Sequence, residues 1–260
     1  MAISNNEIKR VKSLAMKKFR DQLGLFTAEG EKIVSESLSS GFEVEAVYRR
    51  EEIGEEAMKK ISQQNTPSPV LAVIRKPADI VLEDREAIGA ALEAYGKQAR
   101  KGQGLFLALD SMRDPGNLGT VLRIADWFGI DAIFASRDTV DIFNSKTVQA
   151  TMGAIFRVKF HYCDLDELCG IIRSKNGNIY GTFLDGENMY GKDLSTGENA
   201  PSLIVIGNES EGISKEIGLL VTDRLYIPPY TADESGSESL NAAVATAITI
   251  AEFRRQGMNR

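Results

Sequence analysis

Histidine is almost missing from this 260-residue chain, in which His161 is the only one. A multi-histidine metal site is therefore excluded, and a Ser-His-Asp triad has a single candidate for its base. Beside a predicted strand, one histidine reads as structural. Cysteine is scarce as well: Cys163 and Cys169 stand six positions apart in a predicted helix, on different faces and without a Cys/His cluster. That pattern fits free, buried or half-buried thiols rather than a zinc site or a disulfide framework, and no bound metal is expected. No apolar run approaches the roughly 20 residues that cross a bilayer, so a soluble protein without membrane partners is expected. The segment Met1-Ala2-Ile3-Ser4-Asn5-Asn6-Glu7 lacks a basic stretch leading into an apolar one, which makes the cytoplasm the expected location. Neither a phosphate-binding P-loop nor a Gly-x-Gly-x-x-Gly fingerprint occurs, and a nicotinamide oxidoreductase is excluded on that ground.

What is present is length, ordinary hydrophobicity and an uneven distribution of charge. With 43% hydrophobic and 26% charged residues, the chain is long enough for two domains with real cores. A net charge of -6 argues against coating nucleic acid through bulk charge. Yet Lys9, Arg10, Lys12, Lys17, Lys18 and Arg20 are opposed by Glu7 alone over the first stretch. Ile8, Val11, Ala15 and Phe19 fall at helical spacing between Asn5 and Arg20, leaving the cations on the other faces. Such a face is either solvated or in contact with phosphates.

Strands are expected at Leu25–Glu29, Val44–Tyr48 and Val70–Ile74, with helices at Gly30–Ser40 and Glu51–Gln64 between them. This small α/β unit ends near Lys76-Pro77. A helix-prone stretch, Glu86–Tyr95, runs into a polar, glycine-bearing linker at 96–103, which divides the chain into domains 1–100 and 101–260. Beyond it, strands at Leu105–Leu109, Ala132–Ala135, Arg157–Phe160, Ile179–Leu184, Leu203–Ile206 and Arg224–Ile227 alternate with helical patterns near Asn117–Phe128, Ser145–Met152, Leu165–Lys175, Ser214–Val221 and Ser239–Arg255. The alternation predicts an α/β fold with a mostly parallel sheet and helices on both faces, its functional residues just after strands.

Three strand-loop-helix units hold the candidate chemistry. After the first strand of the second half, either Asp114 or Asn117 can cap the following helix, with Pro115 near its start. Arg123 lies off that helix's apolar stripe, so it is either a solvated arginine or a bidentate phosphate ligand; an arginine stays protonated and makes a poor general base. Gly207-Asn208-Glu209-Ser210-Glu211-Gly212 follows a wholly apolar strand, and its two glycines permit backbone close to a ligand. Ser239 is placed to cap a slim, alanine-rich helix, an arrangement that leaves Asn241 inside the first turn without a role.

Taken together, Asn117-x-Gly119-x-x-x-Arg123, Gly207-Asn208-Glu209-x-x-Gly212 and Ile227-Pro228 … Ser239-Leu240-Asn241 resemble the three ordered motifs of the SpoU (TrmH-like) RNA 2'-O-ribose methyltransferases, over roughly residues 105 to 255. Lys17-Lys18-x-Arg20 and Gly24-Leu25-Phe26-x-x-Glu29-Gly30 are similar to the ribosomal-protein-like substrate-binding domain that many members carry. The resemblance implies methyl transfer from S-adenosylmethionine to a ribose 2'-hydroxyl by a homodimer with a deep C-terminal trefoil knot. Ribosomal RNA ranks ahead of transfer RNA as the implied substrate. A non-catalytic RNA-binding dimer that keeps the knot is the reading from another class. The resemblance itself implies a catalytic cluster of Asn117, Arg123, Glu209, Ser239 and Asn241. It also implies cofactor contacts from Thr182, Phe183, Leu184, Ile206, Gly207, Asn208, Glu209, Gly212, Ile227, Ser239, Leu240 and Asn241, while the basic N-terminal stretch makes Lys9, Arg10, Lys12, Lys17, Lys18 and Arg20 the expected RNA contacts. One departure stands out: the segment from Pro229 to Glu238 is longer and more acidic than the short glycine-containing turn of typical members, either a lid or a surface insertion.

Overall fold

Apolar strands buried on both faces dictate the architecture of this computed structural model, which describes residues 3–99, 104–194, 200–230 and 239–258. The first part comprises α1 (Asn5–Ser13), α2 (Lys17–Leu23), β1 (Leu25–Glu29), α3 (Glu31–Leu38), β2 (Val44–Arg49), α4 (Arg50–Ile53), α5 (Glu55–Ile61) and β3 (Val70–Arg75). Two helices expected to be continuous are broken. Between α1 and α2, Met16 is extended, and the Arg20 guanidinium takes the carbonyl oxygens of Leu14 and Ala15 (both 2.9 Å) that a continuous helix would use internally. Between α4 and α5, Gly54 adopts φ +83, a conformation that ends one helix and starts the next.

The second part contains α6 (Arg85–Gln98), β4 (Leu105–Leu109), α7 (Pro115–Phe128), β5 (Ala132–Ala135), α8 (Ser145–Thr151), β6 (Phe160–Tyr162), α9 (Leu165–Ser174), β7 (Asn178–Asn188), β8 (Ser202–Ile206), α10 (Lys215–Leu220), β9 (Asp223–Tyr226) and α11 (Ala242–Met258). The strand expected at Arg157–Phe160 is shifted to β6. Ala154–Phe156 forms a tight 3-10 turn, and the Arg157 side chain is drawn to Asp126 (2.7 Å) and Glu36. Tyr162 instead pairs with the extended segment at Ile80 and Leu82, which covers this edge of the sheet. β7 runs four residues past its expected end at Leu184, with a register shift against β9 between Thr182 and Glu187.

β1-β3-β2 is an antiparallel sheet; β6-β5-β4-β8-β7-β9 is parallel in every pairing. Alternate residues of β4 enter opposite cores. Leu105, Leu107 and Leu109 join Leu118, Val121 and Leu122 of α7 and Ile250 and Phe253 of α11. Phe106 and Ala108 join Ile88 and Leu92 of α6, Leu168 and Ile172 of α9, and Ile217 of α10. α6 thus packs on the six-stranded sheet.

The small sheet is shared in the same way. Leu25, Leu71 and Val73 pack on Val11, Leu14, Met58 and Ile61, while Phe26, Ala28, Ala72 and Ile74 enter the core that holds Phe143 and Phe156. Phe26 and Phe143 lie 4.6 Å apart, and Arg20 (3% exposed) pairs with Asp141 (9%) at 2.8 Å. A shared apolar core with a buried ion pair across it holds the two sheets as one body. Of the linker read at 96–103, residues 100–103 lie outside the described residues.

Candidate active site

In the large sheet the chain order reverses between β4 and β8, and crevices at such reversals, beyond the carboxyl ends of strands, are where ligands bind. The loops after β4 and β8 meet there. Asp110, buried at the end of β4, accepts the Ser214 N–H (2.7 Å), and Asn208 Nδ2 donates to the Ser111 carbonyl (2.7 Å). Ser111 itself is held at φ +57, a left-handed conformation rare outside glycine and typical of functional loops. Its N–H donates to Ser136 Oγ (2.8 Å) and its hydroxyl to Asp138 (2.6 Å), so the loop after β5 braces it.

At the centre is a chain of side-chain hydrogen bonds from all three motif loops. Asn241 Nδ2 donates to Asn117 Oδ1 (2.9 Å), and Asn117 Nδ2 donates to Glu209 Oε1 (3.0 Å). The two amides can face only one way. Asn241 Oδ1 accepts the N–H groups of Ala243 and Val244 (3.0 and 3.3 Å) at the start of α11, so its nitrogen must point to Asn117. Asn117 must then offer its nitrogen to Glu209, an acceptor when ionised. Partial burial pushes the Glu209 carboxyl up, but the hydrogen bonds from Asn117 and from the backbone N–H groups of Arg113 and Asp114 (both 3.3 Å) outweigh it. The carboxyl is held below the ordinary range. Two sequence expectations are settled here: Asp114 caps α7 by accepting the Asn117 N–H (2.7 Å), and Asn241, not Ser239, caps α11. Ser239 is exposed and stands outside the chain of bonds.

Gly207 is the tightest point of the site. A Cβ there would lie 2.1 Å from Gly212 C and 2.2 Å from Ile213 N, so the loop closes only on glycine. Asn208 and Gly212 exchange backbone hydrogen bonds (2.9 and 3.0 Å), and Gly212 takes φ +74. The result is a narrow turn that brings Ile206, Gly207 and Glu209 to the crevice. The Asn208 amide is used in folding this turn, since its oxygen also accepts Ser210 and Glu211 N–H. Gly119 serves packing: a Cβ would meet Ala150 Cβ at 2.5 Å, so this motif position sets the approach of α8 to α7.

The other predicted residues are placed as follows. Arg123 is exposed on α7 with no hydrogen-bond or ion-pair partner among the described residues. Leu184, within β7, and Leu240, before α11, expose 68% and 49% of their surface, and Ile227 is half-buried after β9. Thr182 is half-buried, and the Phe183 ring lies under the Arg224 guanidinium, 3.5 Å from its carbon. Residues 231–238 of the acidic segment lie outside the described residues. Among the predicted RNA contacts, Lys9, Lys12, Lys17 and Lys18 are exposed, whereas Arg10 is paired with Glu7 and Glu45. Arg20 is a correction. Its guanidinium is buried between Asp141 and two carbonyls, a tie between the sheets rather than a group presented to a ligand.

His161 is buried, bonded to Tyr95 and to the Asp79 carbonyl (both 2.7 Å), and both thiols are pushed up to about 12 by burial, which leaves them unreactive. Among the described residues no cluster of three His, Cys, Asp or Glu side chains could hold a metal, and no helix is long and apolar enough to cross a membrane. A cavity of about 480 Å³ opens between the sheets, lined by Phe42, Lys76, Phe156 and His161, but it contains none of the loop residues above. Sequence reading did not find Asp110, Ser111 or Asp138; an aspartate at a strand end was the only trace they left.

Comparison with known proteins places the whole chain among RNA methyltransferases by similarity. The model of the SpoU rRNA Methylase family matches residues 104–251, and the MRM3-like substrate binding domain matches residues 5–72. The chain is 29% identical to the Bacillus subtilis 23S rRNA (guanosine(2553)-2'-O)-methyltransferase RlmP over 96% of each chain. A solved structure from Porphyromonas gingivalis, assigned to the TrmH family of RNA methyltransferases, superposes with a TM-score of 0.81 at 34% identity, covering 98% of this chain and all of that one. The AdoMet-bound rRNA methyltransferase of Sinorhizobium meliloti gives 0.79 at 26% identity, covering 98% of this chain and 96% of that one.

Proposed function

The chain belongs to the SpoU rRNA methylase family, and on that premise we propose that it methylates a ribose 2'-hydroxyl of ribosomal RNA, using S-adenosylmethionine. The observation that carries the reading is the polarised chain Asn241–Asn117–Glu209, which gathers all three motif loops at one crevice. A scaffold that only bound RNA would need no such convergence. The narrow Gly207–Gly212 turn and the exposed apolar side chains of Leu184 and Leu240 suit a cofactor with a flat, largely apolar ring and a polar tail. Ile206, Gly207, Ile227 and Leu240 would hold it, with Thr182, Ser239 and Asn241 at its polar groups. When bound, S-adenosylmethionine supplies an already activated methyl group, so the protein's task is alignment of the nucleophile.

That task falls to Arg123 and the hydrogen-bonded loops. Arg123, charged and uncompensated among the described residues, binds the phosphate beside the target ribose and stabilises the oxyanion as the hydroxyl gives its proton to solvent water. Glu209 is a clamp rather than a base: its carboxylate already accepts three N–H groups and sits below the ordinary range. Lys9, Lys12, Lys17 and Lys18 belong to the RNA-binding surface of the N-terminal unit. The proposal includes a cytoplasmic homodimer with the chain knotted behind the cofactor. Trp127 on α7, 84% exposed, supports a further covered surface there.

Mapping 2'-O-methyl groups in RNA from cells with and without the protein tests this. A site in ribosomal RNA that loses its methyl group supports the reading. A lost site in transfer RNA moves the substrate, and no lost site favours a binding module.

A further inference from the structure

The basic N-terminal unit and the catalytic loops lie on different sheets, and a groove joins them. It has a volume of about 290 Å³ and is lined by Lys17 and Lys76 from the first part and by Arg137 and Thr139 from the loop after β5, over Phe143 and Tyr162. The same loop continues to the active site. Asp138, next to Arg137, accepts the hydroxyl of Ser111 at 2.6 Å and faces Arg113 Nη2 at 3.6 Å, on the loop that leads to Asn117. Cations therefore succeed one another along one surface: Lys17 and Lys76, then Arg137, then Arg113.

Lys76, only 16% exposed, holds Asp21 at 2.6 Å, but the partners of the other three are weak ones. Lys17 pairs with Asp21, Arg137 with Glu83 and Arg113 with Asp138, and all six side chains are between 43% and 72% exposed. Exposed pairs of this kind contribute little and exchange readily for another anion, and an arginine fork gains bidentate geometry on a phosphate. The floor of the groove is different. Asp141, which lines it, is tied to the buried Arg20, and the shared aromatic core beneath fixes the separation of the two walls. A groove of fixed width with exchangeable cations along it suits a flexible polyanion laid through it.

We infer that this groove is the path of the single-stranded RNA flanking the target nucleotide, with Lys17, Arg137 and Arg113 on successive stretches of its backbone. The inference rests on the functional reading above and adds residues to it. Arg137 and Arg113 lie outside the basic N-terminal stretch and belong to no motif.

The test is RNA binding by fluorescence anisotropy at several salt concentrations, with ribosomal RNA transcribed in vitro and so free of modification. Lys17→Glu, Arg137→Glu and Arg113→Glu are compared with Lys97→Glu, an exposed reversal at the opposite end of β4 near Gly104. Each groove reversal is expected to weaken binding about three- to tenfold and to reduce the slope of log affinity against log salt by about 0.7 to 0.9. Lys97→Glu should do neither, and S-adenosylmethionine binding by calorimetry should be unchanged in Lys17→Glu and Arg137→Glu. Arg137→Gln serves if the reversal impairs folding. Wild-type affinity and salt slope in Lys17→Glu and Arg137→Glu, in a protein that still methylates the RNA, would overturn the path and leave the activity standing. Wild-type protein that neither binds nor methylates the RNA overturns both.

Discussion

Replacing Asn117 with aspartate changes one atom type and leaves shape intact, so it isolates the polarity of the Asn241–Asn117–Glu209 chain. The new carboxylate still accepts from Asn241, now 2.9 Å away, but loses the donor that meets Glu209 at 3.0 Å. A hydrogen bond to a charged group contributes about 1.5–3 kcal/mol. Two carboxylates about 4 Å apart repel by about 4 kcal/mol at an effective dielectric constant of about 20. The pair relieves most of that repulsion by sharing a proton, which raises one of its apparent pKa values. A net loss of about 2–4 kcal/mol in transition-state stabilisation follows near neutrality, or about thirty- to thousandfold in kcat/KM. The sign with pH is definite. Below the raised pKa the shared proton restores a donor between residues 117 and 209, so Asn117→Asp activity relative to wild type should rise as pH falls from about 8 to about 5.5. Asn117→Ala has no such proton and should stay flat. The assay is transfer of labelled methyl from S-adenosylmethionine to unmodified ribosomal RNA. A flat ratio for the aspartate variant, or the same curve for both variants, refutes the polarity argument.

Three further substitutions separate the parts of the molecule. Arg123→Ala should keep S-adenosylmethionine binding by calorimetry and lose turnover; undiminished methylation would remove Arg123 from the mechanism. Gly207→Ala, whose Cβ would lie within 2.4 Å of three backbone atoms of Gly212 and Ile213, should weaken cofactor binding at least about tenfold while far-ultraviolet circular dichroism stays unchanged. Arg20→Ala strands Asp141 in a nearly dry site, a loss of about 3–5 kcal/mol that should lower the melting temperature by roughly 6 to 15 °C. An unchanged melting temperature there would contradict its role as a tie between the sheets. Glu209 gives a pH expectation as well. Its folded pKa is depressed, so its contribution is complete above the ordinary carboxylate value and disappears only as pH falls through the lower folded one; between about pH 7 and about pH 5, cofactor affinity should not depend on it.

Much of the site was legible because it lies where local and global signals coincide. Asp114-Pro115 predicts a helix start, the apolar run Leu203–Ile206 predicts a buried strand, and Gly207 and Gly212 predict a backbone turn beyond it; all are present. What escaped depends on partners distant in sequence. Arg20 reads as one of six cations on a basic helix, yet a partner 121 positions away buries it and breaks that helix. Ser239 has the right residue type for a cap, but Asn241 is fixed from both sides, by the helix N–H groups and by Asn117, and takes the cap from it. β6 begins at Phe160 because the segment at Ile80–Leu82 pairs with Tyr162 from outside, a contact that no local pattern encodes. The groove cations Lys76 and Arg137, and Arg113 beyond them on Asp138, are scattered over the chain and form a set only once the two sheets share a core.

The most direct test of the account is incubation of the purified protein with S-adenosylmethionine and unmodified ribosomal RNA, followed by digestion and mass spectrometry of the nucleosides. The account predicts a single 2'-O-methylnucleoside that appears with wild type and is absent with Arg123→Ala. A methyl group on a base, or no transfer to ribosomal RNA at all, would contradict it.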